Sequence, residues 1–231
     1  MNPFAAALLA IAGIAMTAFL FHWLFIRTEG VFVGRRVVIW LYDLAAKRYD
    51  NIKQFDPDTE SAFVTWPLQR RLKQSPAPLV LDVGTGTGRL PYFLLSEPGF
   101  NGHVIGLDAS SGMLALAQRK LVPFGDRFML VQQSAQDLPF ADASFAAVTC
   151  LEALEFLPDD VTAIAEMARV LRPGGILLIT RRQGPDARFF FSRFHSRDDF
   201  ESLLTAAGLV NIDIRPWQVE YDLVWAVRTP N

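Results

Sequence analysis

The sequence predicts a doubly wound α/β domain carried behind one N-terminal transmembrane helix. Three observations predict it. Residues 4–26 form an uncharged apolar run, FAAALLAIAGIAMTAFLFHWLFI. The stretch LVLDVGTGTGRLPYFLL at 79–95 reads as an apolar strand that stops at glycines and resumes as a helix. Further on, RDDFESLLTAAGLVNIDI and YDLVWAVR read as a helix ending at Gly208 followed by two strands.

A chain of 231 residues has room for one full α/β domain and an appendage. The formal net charge of -2 gives no global positive field to concentrate a polyanion, so nucleic acid is not an expected partner. Cys150 is the only cysteine, which rules out an intrachain disulfide or a cysteine metal cluster. His22, His103 and His195 share no local spacing, and no metal site is expected.

The apolar run exceeds the roughly 20 residues that cross a bilayer core as a helix. A cleaved signal peptide would instead need a basic start, a shorter apolar stretch and a small-residue cleavage site, none of which is seen. Arg27, Arg35, Arg36, Lys47 and Arg48 follow the run and no basic residue precedes it, so the positive-inside rule puts the following domain in the cytoplasm. His22 and Trp23 fall where amphipathic rings sit at the headgroup level. Ala6, Ala10, Gly13 and Thr17 lie at near-helical spacing, a pattern compatible with a homodimer through the span.

Val37, Trp40, Leu41 and Leu44 then recur at helical spacing, with Arg36, Asp43, Lys47 and Asp50 elsewhere on the wheel. This amphipathic helix lies in the membrane interface, caps a site or packs on the domain. SPAP at 75–78 marks the entry to the domain proper. The expected organisation is an anchor at 1–27, a juxtamembrane helix and cap region at 28–78, and the main domain at 79–231.

Gly84, Gly86 and Gly88 remove side chains where a backbone must turn sharply and approach a ligand, and the helix that follows offers free N–H groups. A dinucleotide loop, G-x-G-x-x-G, would need its third glycine where Arg89 stands, which argues against a nicotinamide cofactor. LDVGTGTG at 81–88, with Asp82 ahead of the glycines, resembles the first motif of the class I S-adenosylmethionine-dependent methyltransferases, in particular the ubiquinone/menaquinone-biosynthesis-like members. HVIGLDASSGML ending its strand at Asp108, VQQSAQDLPFADASFAAVTC and LRPGGILLIT resemble the family's later segments, so the likeness runs over about residues 40 to 228.

The resemblance implies a seven-stranded, mostly parallel sheet with its last strand antiparallel, and S-adenosyl-L-methionine as cofactor. It implies a cofactor site of Asp82, Gly84, Thr85, Gly86 and Gly88, with Asp108 on the ribose hydroxyls beside Ala109. Met113 falls where the family sets an apolar residue against adenine, and equally reads as core. Ser134 stands where relatives often have Asp, a weaker hydrogen-bonding partner for adenine than a carboxylate, with Ala135 and Gln136 beside it.

The expected reaction is methyl transfer to a small, lipophilic or membrane-associated acceptor; a non-catalytic membrane assembly or scaffold protein is the alternative. A sulfonium already activates the methyl group, so alignment in a dry pocket is the main task. No general base is assigned: Glu152 and Glu155 lie near the expected methyl position and His195 beyond it, each also explicable as a structural residue. The segment 181–200 interleaves Arg181, Arg182, Arg188, Arg193 and Arg197 with Phe189, Phe190, Phe191 and Phe194. It grips a headgroup, enters the membrane interface or closes the core.

Removing residues 1–27 is expected to release the protein from sedimenting membranes while S-adenosylhomocysteine binding persists. Continued firm sedimentation would move the anchoring role to the Trp40 helix or to the phenylalanine loop.

Overall fold

The computed structural model describes residues 2–53 and 55–230. The side chains of Asn51, Ile52, Ser192 and Lys47, the last counted above among the basic residues, lie outside the described residues. Helix α1, Pro3–Phe21, opens with Asn2 accepting the Phe4 N–H at 3.0 Å and with proline in its first turn, a start that satisfies or removes donors a helix leaves unpaired. It runs on through a π-helical turn, His22–Arg27. Pro3–Arg27 is long and apolar enough to cross a membrane, and none of its most apolar window is buried.

The far end of this segment is docked. Trp23 stacks on Phe32 with ring centroids 5.3 Å apart, Phe191 closes on both, and Arg27 pairs with Asp186 at 2.6 Å. The phenylalanine loop therefore divides its roles. Phe190 is buried with Val31 and Val38 and meets Phe156 edge-on, while Phe189, Phe191 and Phe194 stay exposed.

Helix α2, Arg35–Lys53, follows the docked turn. After it come α3, Pro57–Glu60, a π-helical turn over Ser61–Thr65, and α4, Trp66–Arg71. The sheet domain comprises β1 Leu79–Val83, α5 Arg89–Ser96, β2 His103–Asp108, α6 Ser111–Leu121, β3 Phe128–Gln132, β4 Phe145–Cys150 and α7 Asp160–Val170. β5 Leu171–Arg182, α8 Arg197–Ala206, β6 Leu209–Gln218 and β7 Tyr221–Arg228 complete it.

The seven strands lie in the order β3-β2-β1-β4-β5-β7-β6. β7 runs antiparallel to both neighbours and the pairs from β3 to β5 are parallel, which meets the sequence expectation for the fold. A parallel sheet is covered on both faces, so its strands read as continuous apolar runs: every residue of β4, FAAVTC, is buried. One core holds Phe145, Ile164, Met167 and Phe200; the other holds Leu68, Leu90, Leu94 and Leu121. The PGG turn at 173–175 is absorbed into β5 as an irregularity, its register against β4 shifting between Phe145 and Ala147.

Strand order reverses between β1 and β4, and the crevice at their C-terminal ends is where doubly wound sheets bind ligands. α2 lies across that crevice. The face it packs is not the expected apolar stripe: Trp40 and Leu44 are 59% and 69% exposed, whereas Val38 and Ala46 are buried and Tyr42 meets Phe156 edge-on. Polar contacts set this orientation. Asp43 accepts the Gly112 N–H at 2.9 Å and the Ser110 hydroxyl at 2.5 Å, placing a carboxylate at the N-terminus of α6, where it meets unpaired donors and the positive end of the helix dipole. Asp50 accepts the Thr87 hydroxyl at 2.5 Å and pairs with Lys120 at 2.7 Å.

Phe145 is fully enclosed and packs edge-on against Phe140 at 5.0 Å. Phe145→Ala is expected to cost about 3–5 kcal/mol in urea unfolding. A loss below about 1 kcal/mol would show that this core collapses around the missing ring.

Candidate active site

The turn after β1 gives its three glycines three different jobs. Gly84 (φ +69°) passes so close to the loop after β4 that a Cβ would stand 2.6 Å from that of Ala153. At Gly86 (φ +53°) a Cβ would find no protein atom within 4 Å, because it would project into open space. Gly88 lets α5 and α6 approach, its absent Cβ lying 3.1 Å from that of Ala117. Asp82, buried beneath the turn, accepts the Thr149 hydroxyl at 2.6 Å. Burial pushes its carboxyl up to about 6 against the lowering effect of that hydrogen bond. Thr85 is buried beside it, and both line a small pocket under the loop.

Asp108 ends β2 at the edge of the crevice. Its Oδ2 accepts the Gly86 N–H and its Oδ1 the Ser110 N–H, both at 2.8 Å, and each oxygen retains a second lone pair. Burial raises its pKa, opposed by those backbone donors. Ala109, Ser134, Ala135 and Gln136 line the same cleft as Asp108 and Gly86. The Ser134 hydroxyl donates to the Gln136 side chain, whose amide in turn donates to the Asp159 carbonyl at 3.2 Å. Met113 is 1% exposed in α6 and is not among the residues lining the cleft. The cleft holds about 770 Å³ of space outside the protein atoms, its mouth included, roofed by Ile39, Tyr42 and Tyr49 of α2 and by Phe156.

Glu152 stands at the crevice between β1 and β4 with φ +52°, a left-handed conformation rare for a side chain of its size. Four contacts hold it there. Its N–H donates to Thr180 Oγ1 at 2.7 Å, Arg89 binds Oε1 at 2.6 Å, the Gln218 amide donates to the same oxygen at 3.3 Å and Lys53 binds Oε2 at 2.9 Å. Arg89 also pairs with Glu60 and lies over the Phe55 ring at 3.9 Å. Burial pushes the Glu152 carboxyl up, but Arg89 and Lys53 outweigh it and hold the group below its ordinary range, so it is a fixed anion and a weak base.

Glu155 is buried behind the cleft, accepting the Tyr221 hydroxyl at 2.5 Å and Arg182 at 3.1 Å. Its pKa is raised by burial, against both partners. His195 pairs with Asp160 at 2.7 Å, a bond that raises its pKa, and neither residue lines the cleft. Of the three base candidates, then, the structure brings only Glu152 to the cleft. Among the described residues no group of three or more His, Cys, Asp or Glu side chains is placed to hold a metal ion.

Sequence reasoning missed Tyr42 and Tyr49, though their spacing of two helical turns with Val38 one turn ahead was visible. It also missed the Arg89 network. Arg89 and Glu152 are 63 residues apart, and no local pattern announces such a pair.

Residues 80–175 match the model of the methyltransferase domain family. A demethylmenaquinone methyltransferase of Staphylococcus carnosus is 40% identical over 167 residues, 58% of this chain and 69% of that protein. One from Lactiplantibacillus plantarum is 42% identical over 109 residues, so this chain spans 46% of that relative's length. Among solved structures, the cyclase SpnF superposes with a TM-score of 0.69 at 18% identity, covering 84% of this chain and 96% of that one, a likeness of fold alone. The sheet order, the glycine turn under open space and the acidic end of β2 are those of the class I S-adenosylmethionine-dependent methyltransferases. This chain belongs to that family.

Asp82 holds its proton more tightly when folded than in the unfolded chain, where a carboxyl titrates near 3.9. Its stabilising contribution is therefore complete below about pH 4 and is lost as pH rises through about 6. Across that window wild type should lose on the order of 2–3 kcal/mol relative to Asp82→Asn, followed by thermal unfolding. A difference constant from pH 4 to 7 would remove the desolvation argument.

Proposed function

We propose that the chain transfers the methyl group of S-adenosylmethionine to a small lipophilic acceptor of the quinol type. The observation that carries the reading is Asp108: a half-buried carboxylate with spare lone pairs at the end of β2, beside the open space over Gly86. In this reading Asp108 accepts the ribose hydroxyls, and Ala109, Ser134, Ala135 and Gln136 face the adenine. Asp82, Gly84, Thr85 and Gly86 shape the methionine end, while Gly88 and Met113 serve packing. An acceptor of the quinone/quinol class is supported by the demethylmenaquinone that the two relatives' names carry, and by the apolar span long enough to hold the domain beside lipid.

When bound, S-adenosylmethionine supplies a methyl carbon already activated by its sulfonium. Gly86 keeps the turn bare so that a ligand lies against backbone. Tyr42, Tyr49 and Ile39 roof the cleft and exclude water, the condition under which alignment alone gives large accelerations. With the cofactor held there, the acceptor atom would gain the methyl carbon as the methyl–sulfur bond breaks, S-adenosylhomocysteine would be the leaving group, and the acceptor's proton would pass to solvent water. Residues 1–27 act as anchor, 28–78 as cap and 79–231 as the cofactor-binding domain, on the cytoplasmic side.

The full chain in nanodiscs is expected to bind S-adenosylmethionine and S-adenosylhomocysteine but not NADH by calorimetry. Asp108→Ala should weaken S-adenosylhomocysteine at least about tenfold, roughly 1.4 kcal/mol, with little change in the urea midpoint. Unchanged affinity would refute the ribose assignment; no binding by wild type would turn the reading to a scaffold.

A further inference from the structure

A second cavity shares Tyr42, Tyr49 and Phe156 with the donor cleft as a common wall. From that wall it extends to Phe25 and Glu29, at the end of the apolar span. It holds about 860 Å³ of space outside the protein atoms, mouth included. Tyr49 is the one described residue that lines this cavity, the donor cleft and the small pocket beneath the glycine turn, so it stands where the three spaces meet.

The chemistry of the cavity selects among ligands. Among the described residues two cations line it and both are engaged: Lys53 binds Glu152 at 2.9 Å, and Arg182 binds Glu155 and Glu220, each at 3.1 Å. Glu29 and Glu220 add two carboxylates to the lining. An anionic head would face carboxylates with no cation left to meet it. Aromatic faces come from Phe25, Tyr42, Tyr49 and Phe156. Burial, with Glu152 reinforcing it, raises the Tyr49 pKa far above neutrality, so its phenol is a hydrogen-bond donor.

The rim continues into exposed apolar surface. Leu41 and Ala45 of α2 line the cavity, and beside them on the same helix are the exposed side chains of Trp40 and Leu44. Leu44 and Trp40 have no partner among the packed clusters of the described residues. Together with the end of α1, they offer an apolar tail a route that avoids water.

We propose that this cavity is the acceptor chamber, entered from the bilayer past Phe25 and Leu41, and that it takes an uncharged ring with oxygen substituents and an apolar tail. Tyr49 is its positioning residue, donating to a ring oxygen at the junction with the donor cleft. The assignment as an acceptor chamber rests on the methyl-transfer reading; the location of the lipophile does not.

The test uses the full chain in phosphatidylcholine nanodiscs and a naphthoquinone bearing a decyl tail with a photoreactive diazirine. Photolysis should label α2, and Ala45→Trp, which fills the chamber, should cut labelling at least about tenfold while S-adenosylhomocysteine affinity stays within about twofold. Tyr49→Phe, which keeps the ring, should weaken the naphthoquinone about tenfold and leave a decylbenzene diazirine unaffected, a split that a purely structural role for Tyr49 would not produce. Labelling confined to residues 1–27, or unchanged in Ala45→Trp while S-adenosylhomocysteine still binds, overturns the chamber and leaves methyl transfer standing. Competition by decyl phosphate overturns the uncharged-ring assignment. Labelling that Ala45→Trp abolishes in a protein unable to bind S-adenosylhomocysteine keeps the lipophile site and removes the methyl-transfer reading instead.

Discussion

Arg89 is the charge around which the crevice is assembled. It is 8% exposed at the first position of α5, bonded to Glu152 and Glu60, with the Phe55 ring stacked over it. A guanidinium taken out of water costs several kcal/mol unless it is paired, and removing one partner of a buried pair typically costs about 3–5 kcal/mol. That requirement joins four separate pieces of chain. The glycine turn that precedes Arg89, the loop after β4 that carries Glu152, α3 with Glu60 and α2 through Lys53 must all arrive together. The left-handed backbone at Glu152, a conformation that costs on the order of 1–3 kcal/mol, persists because these contacts over-determine it.

The roof over the crevice follows from the same economy of charges. Asp43 and Asp50 sit on the side of α2 that an amphipathic wheel assigns to water, yet each finds a donor set on the domain: the N-terminus of α6 for one, Thr87 and Lys120 for the other. These contacts turn Tyr42 and Tyr49 over the cleft and leave Trp40 and Leu44 outward, on the helix that leads directly from the docked end of the apolar span. Docking of the apolar span and closure of the site thereby meet at one helix. A movement of the anchor relative to the domain would pass through Trp23, Phe32 and Phe191 before reaching the roof.

Methyl transfer asks little acid–base chemistry of a protein and much positioning, and the distribution of buried groups agrees. Glu152 is committed to two cations, Glu155 to Tyr221 and Arg182, and His195 to Asp160. What faces the cleft is mainly backbone, small side chains and tyrosine rings. Besides Glu152, which its cations hold, the cleft has Asp108, an acidic side chain at the open edge whose existing bonds to Gly86 and Ser110 fix its orientation before any ligand arrives.

Features that rest on local chemistry can be read along the chain. An uncharged run of 23 residues, the glycine spacing at 84, 86 and 88, the acid at 108 and the strand-helix alternation each depend on neighbours in the chain, and with them the sheet and the cleft at its switch point were legible. Which face of α2 packs depends on the fold, because Asp43 and Asp50 find their partners on α6 and in the glycine turn, dozens of residues away. The same holds for Met113, which reads alike as core or ligand contact until the packing of α6 buries it, and for His195, whose partner Asp160 lies 35 residues back. Long-range ion pairs leave no periodicity in a sequence. They arise when folding brings charges out of water together and each must be met by whatever opposite charge the topology supplies.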